Sequence, residues 1–145
     1  MSILQSHTFV CTIDGMAEQL ISPVIIHYNG KLWKGEALWD TGAFCSAISQ
    51  RCADTIGFES SFVVEGTGFG GKSTSPGGLV DFVLPNDVVI TEREVSVHPN
   101  LFKHDIVIGM NVIHGGDFVV SNDNEQTIFA FRYPAQGIEG FTKDE

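Results

Sequence analysis

The chain has 145 residues, a formal net charge of −10, sixteen glycines and eleven phenylalanines. That length predicts one domain spanning 1–145 with a real core, and the Gly, Phe, Val and Ile content favours an all-β fold with tight turns. The acidic balance excludes a nucleic-acid footprint and an anionic-membrane anchor, which both need clustered Lys and Arg.

Residues 1–7 have neither the basic start nor the apolar core of a signal peptide. No stretch is long enough to span a bilayer. Cys11, Cys45 and Cys52 are odd in number and lack metal-ligand spacing, the pattern of reduced thiols in a cytoplasm. His7, His27, His98, His104 and His114 are scattered, so no metal and no cofactor are expected.

In chain order, residues 8–13 read as a strand stopped by Asp14-Gly15. Residues 22–28 and 31–39 flank Asn29-Gly30, the strongest short-range hairpin signal, because both turn residues tolerate positive φ. The second of these strands runs directly into Asp40. Residues 49–56 read as a short helix with Ser49 as N-cap and Gly57 as its stop. Strands follow at 62–65, 79–84, 88–90 and 93–97, with Pro85-Asn86-Asp87 as a turn. The apolar run Ile106-Val107-Ile108-Gly109 precedes one helical turn at 110–114. A final hairpin at 117–121 and 127–133 turns on residues 122–125, and a polar tail from about 134 reads as loosely ordered.

Gly66-Thr67-Gly68-Phe69-Gly70-Gly71 matches the dinucleotide fingerprint G-x-G-x-x-G. That fingerprint works only where a helix opens from it, because the helix N-terminus binds the pyrophosphate. Lys72-Ser73-Thr74-Ser75-Pro76-Gly77-Gly78 cannot start such a helix, so the nucleotide reading fails. Between two strands the same residues read as the tip of a β-hairpin.

Asp40-Thr41-Gly42-Ala43 is the sharpest chemical feature. Peptide hydrolysis can be run by two carboxylates sharing one proton, one acting as general base on a water while the other supplies the acid; the aspartic-protease dyad is the standard example of such a pair. Gly42 permits a tight turn, and the Thr41 hydroxyl can bond to backbone beneath it. The tripeptide Asp-Thr-Gly alone also suits an ordinary loop.

The order of hairpin, Asp-Thr-Gly-Ala, glycine-rich loop and Ile-Val-Ile-Gly resembles the retroviral-type aspartic proteases (retropepsins), in the style of their bacterial members. The resemblance implies a closed, retropepsin-like acid-protease barrel, all-β, with a flap hairpin and one or two short helices. It implies Asp40 as the catalytic residue, with Thr41, Gly42 and Ala43 completing the active-site loop and Thr41 tying two such loops together. Gly66, Thr67, Gly68, Phe69, Gly70 and Gly71 would form the flap, closing roughly residues 64–76 over a peptide or protein substrate. One Asp-Thr-Gly per chain implies a homodimer with Asp40 from each subunit in the dyad. The alternative is a catalytically silent homodimer that binds extended peptides in the same groove.

Two places depart from the viral pattern. Many viral members carry an Asp shortly after the Ala, paired with an Arg after the later glycine; here Phe44-Cys45 and Met110 stand there. Trp39 is also bulkier than the aliphatic residue usual before the Asp. Cys45 has no neighbouring His and reads as a small buried thiol rather than a nucleophile.

Overall fold

The structure, a computed structural model, describes residues 7–68, 71–101 and 103–138. The first strand, β1 (His7–Asp14), ends at Gly15, whose φ of 81° turns the chain. The predicted hairpin follows as β2 (Leu20–Tyr28) and β3 (Lys31–Trp39). Asn29 (φ 48°) and Gly30 (φ 80°) are both left-handed, so the turn twists with its strands. Along β2 the side chains of Ser22, Val24 and Ile26 are buried, the period-two pattern of a half-exposed strand.

A strand that the sequence reading does not contain comes next, β4 (Ser46–Ser49), buried throughout. Helix α1 (Gln50–Ile56) is bounded as predicted. The Ser49 side chain accepts from the Cys52 N–H, and Gly57 closes the helix at φ 65°. Strands β5 (Phe62–Gly68) and β6 (Gly71–Leu84) form the glycine-rich hairpin, paired from Phe62↔Gly77 to Gly68↔Gly71. Residues 72–78, expected to be loop, are therefore ladder, and a strand rather than a helix follows Gly71.

After a 3₁₀ turn at Pro85–Asp87, β7 (Val88–His98) runs unbroken where two shorter strands were expected. A bulge explains the split signal. Thr91 and Glu92 together oppose Asp81, Glu92 takes φ 54°, and its N–H donates to Asp81 Oδ1 at 2.9 Å. Strand β8 (Ile106–Ile108), helix α2 (Met110–Ile113), β9 (Asp117–Asp123) and β10 (Gln126–Tyr133) complete the order.

Six strands run β2–β3–β8–β4–β7–β6, and β6 pairs back onto β2 to close the ring. Closure satisfies both edges of the sheet. Strand β5 hangs outside the ring on β6, so the hairpin projects from the barrel. A second sheet, β1–β10–β9, lies against the barrel through aromatic side chains. Trp39 of β3 stacks on Phe118 (5.5 Å, 10° between planes) and meets Phe9, Phe129 and Phe131 at 5.5, 6.0 and 5.2 Å. Each such buried ring contributes roughly 1.5–3 kcal/mol through burial, so this cluster holds the strand that leads into Asp40. The indole N–H of Trp39 is satisfied by Ser22 Oγ at 2.8 Å. That gives the bulky residue before Asp40 a structural task.

The first residues beyond β10 are tied down rather than loose. Ala135 N–H donates to the Gly115 carbonyl, and Gln136 and Gly137 N–H donate to the Asp117 carboxylate. No described helix is long and apolar enough to cross a membrane.

Candidate active site

Strand β3 lies parallel to β8 with Trp39 opposite Ile108, so Asp40 and Gly109 leave the barrel side by side. The Asp40 N–H continues the ladder to the Ile108 carbonyl at 2.9 Å. The chain then turns sharply: Ala43 N–H donates to the Asp40 carbonyl at 3.2 Å, and Gly42 N–H donates to Asp40 Oδ1 at 2.8 Å. That second bond fixes the rotamer of the half-buried carboxylate.

The turn rests on the start of α2. Met110 N–H donates to the Ala43 carbonyl (2.7 Å) and Asn111 N–H to the Phe44 carbonyl (3.1 Å). A Cβ on Gly109 would stand 2.7 Å from the Ala43 carbonyl oxygen and 2.9 Å from that of Cys45. Only glycine admits this approach, the physical content of the Ile-Val-Ile-Gly pattern. Ser46, fully buried, donates to Asn111 Oδ1 through its N–H (2.8 Å) and hydroxyl (2.7 Å), and its Oγ accepts from Gly109 N–H (2.9 Å).

The Thr41 expectation needs correcting in one respect. Its side chain is exposed and makes no hydrogen bond to the described residues, so the backbone beneath the turn is held by Ser46 and Asn111 instead. Those two residues were missed, because Ser46 lies in the unanticipated strand and 65 positions separate it from Asn111.

A cavity of about 390 Å³ opens over the turn. Asp40, Gly42 and Ala43 line one side, and Val64, Gly66, Ser73 and Ser75 of the glycine-rich hairpin line another. The hairpin arms thus face the Asp40 turn. Gly66, Thr67, Gly68 and Gly71 belong to their strands, while Phe69 and Gly70 lie outside the described residues. Phe44, at one of the departures from the viral pattern, is 64% exposed and joins this cavity to a second one under the hairpin.

The remaining wall comes from residues that sequence reading left unassigned. Ser96 and His98 at the end of β7 reach it, with Ser96 Oγ 2.8 Å from His98 Nε2, and Leu101 and Val107 supply apolar surface. Burial pushes the His98 ring below its ordinary pKa. The Cys45 thiol is pushed up to about 11, by burial and then by Glu94, so it is protonated at neutral pH. Among the described residues no cluster of three or more His, Cys, Asp or Glu side chains is placed to hold a metal.

The profile of the aspartyl protease family matches residues 23–112, which include both the Asp40 turn and Gly109. The chain belongs to that family, and it is an aspartic peptidase, a hydrolase, with the retropepsin-like fold. Among solved structures it is similar to a retropepsin-like aspartic protease from Rickettsia conorii, with TM-score 0.62 and 14% identity, over 92% of this chain and 98% of that one. It is also similar to simian foamy virus protease, with TM-score 0.45 and 16% identity, over 64% of this chain and 92% of that one. No curated protein matches the chain by sequence.

Proposed function

We propose that the protein is a homodimeric aspartic endopeptidase whose dyad is Asp40 from two subunits. The observation that carries the reading is one Asp40 carboxylate, aimed by Gly42 N–H at the mouth of a cavity whose opposite side is the projecting β5–β6 hairpin. One carboxylate activates a water as base, and the second, protonated, supplies the acid to the carbonyl oxygen or leaving amine. Residues 64–76 act as the flap, excluding water and meeting the backbone of an extended peptide. Thr41, exposed beside Asp40 and unpaired within its own chain's described residues, bonds to the matching loop of the other subunit.

The test is a panel of unfolded protein substrates incubated with wild type and Asp40→Asn from acid to neutral pH. Cleavage by wild type alone supports the reading. Equal cleavage by both points to a contaminating protease, and none by either favours the silent, peptide-binding homodimer.

A further inference from the structure

The wall of the Asp40 cavity changes character along its length. Leu38, Ala47, Leu101 and Val107 make an apolar stretch, a cluster separate from the main core. At its end the wall turns polar, with Ser96, His98 and Asn100. Ser96 and His98 stand two apart on β7, so both side chains leave the same face of the strand. Ladder pairing fixes them there, with Ser96 opposite Ala47 and His98 opposite Ser49 on β4.

The His98 ring is held at one nitrogen and left free at the other. Nε2 lies 2.8 Å from Ser96 Oγ, and Ser96 is buried, so the bond sets the ring's orientation from inside the wall. Nδ1 has no hydrogen-bond partner among the described residues. The side-chain amide of Asn100, exposed at the rim, has none among them either. Burial holds the ring below its ordinary pKa and so favours its neutral form. A neutral imidazole and a carboxamide can each donate and accept. Among the described residues that line the cavity there is no Lys or Arg.

We infer that His98 and Asn100 select a substrate residue with a carboxamide side chain, glutamine above all, close to the bond that is cut. The inference rests on the peptidase reading above and adds a substrate class to it. Glutamine matches the wall in two parts. Its methylenes lie along Leu101 and Val107, and its amide offers the acceptor and donors that His98 and Asn100 complement. Methionine has nearly the same length but gains the apolar contact alone, leaving the site's polar groups unpaired. Glutamate brings a charge into a wall that holds no cation for it. The selected residue lies near the scissile bond because Asp40 and His98 line the same cavity of about 390 Å³. Ser96 acts through His98 as a positioning residue.

The experiment uses the full chain. Unfolded proteins are digested with wild type, and mass spectrometry reads the cut sites, where glutamine should be enriched at one flanking position. Peptides from such a site, with Gln or Met at that position, then compete in one tube. The ratio of their kcat/KM values does not depend on how much enzyme is folded. Wild type should favour the Gln peptide by roughly 10-fold, the scale of one hydrogen bond. His98→Leu should bring the ratio close to one, and His98→Gln, which keeps a donor and an acceptor, should retain part of it. No enrichment with wild type, or a ratio that His98→Leu leaves unchanged, overturns the inference and leaves the peptidase reading standing. So does a Glu peptide cut as fast as the Gln peptide at a pH where Glu is ionised. A wild-type chain that cuts nothing overturns both.

Discussion

Asn111 Oδ1 accepts two hydrogen bonds from Ser46, one from its N–H at 2.8 Å and one from its hydroxyl at 2.7 Å. Asn111 Nδ2 then donates to the Glu94 carbonyl at 2.8 Å, so one amide ties β4 and β7 to the start of α2. The Asp40 turn leans on that joint through the Phe44 and Ala43 carbonyls. Asn111→Ala strands two buried Ser46 donors, which costs roughly 1–3 kcal/mol each when unsatisfied. The expected outcome is a lower denaturant midpoint with an unchanged slope, read by chemical unfolding. Asn111→Asp should recover only part of the loss, since it keeps the acceptor for Ser46 but sets a carboxylate oxygen against the Glu94 carbonyl.

Gly109→Ala should lose activity out of proportion to stability. Its φ of −102° suits any residue, so backbone strain is not the cause. The added methyl meets the carbonyls of Ala43 and Cys45, fixed backbone atoms that move only if the Asp40 turn moves. Overpacking of this kind costs about 1–3 kcal/mol in stability, while a catalytic carboxylate displaced by an ångström costs on the order of 100-fold in turnover. Melting temperature and kcat measured on the same preparation separate the two effects.

Asp40→Asn should leave the melting temperature nearly unchanged, because the amide oxygen still accepts from Gly42 N–H. On the proposed dyad it should also abolish turnover of an unstructured substrate, because an amide cannot accept and return the proton. Melting temperature and kcat/KM measured on the same preparations check both halves.

Stability itself should fall on the acid side. Asp105 is held below the usual carboxylate range by hydrogen bonding from Arg51 and then Ser49, and Asp117 by the Gln136 N–H and then Arg132. A carboxylate depressed in the folded state contributes stability that is complete above its unfolded pKa of about 3.9 and lost as pH falls through the folded value. His98 works in the same direction from about 6.5 downward, because the unfolded chain protonates it more readily than the buried ring does. Asp105→Asn should lower the midpoint modestly at neutral pH, Arg51 being largely exposed, and flatten the acid limb of the profile. Urea midpoints across the pH range measure it.

The thiols should be slow. Burial, aided by Asp105, pushes Cys52 up to about 12, and burial with Glu36 raises Cys11. With Cys45 at about 11, Cys45 and Cys52 of the folded chain should take up iodoacetamide at neutral pH at least about 100-fold more slowly than in the unfolded chain, and Cys11 should be slowed as well. Mass spectrometry of alkylated peptides over time gives the rates.

The elements legible in the sequence are those whose signal is local. Asn29-Gly30 supplies a turn that needs positive φ, and Ser49 and Gly57 supply caps; all three sit where expected. Strand β4 was illegible because four fully buried residues show no period to read. Residues 72–78 look like loop, rich in Ser, Gly and Pro, yet pairing with β5 draws them into a strand. Propensity on a sheet gives way to the neighbour across the ladder.

The candidate site divides along the same line. Asp40-Thr41-Gly42 and Ile106-Val107-Ile108-Gly109 were recognisable from the sequence because turn geometry and a close backbone approach restrict which residues can stand there. Their adjacency came from the parallel β3–β8 pairing, and the joint of Ser46 and Asn111 behind them from strand β4. Ser96 and His98 reached the cavity wall only because β7 runs unbroken along β4 to that end of the barrel. Backbone dihedral preferences act over a few residues, so the sequence by itself determined the turns and the caps and singled out the candidate carboxylate. Hydrogen-bonded pairing and side-chain packing join residues far apart in the chain, so only the tertiary structure decided what supports that carboxylate and what faces it.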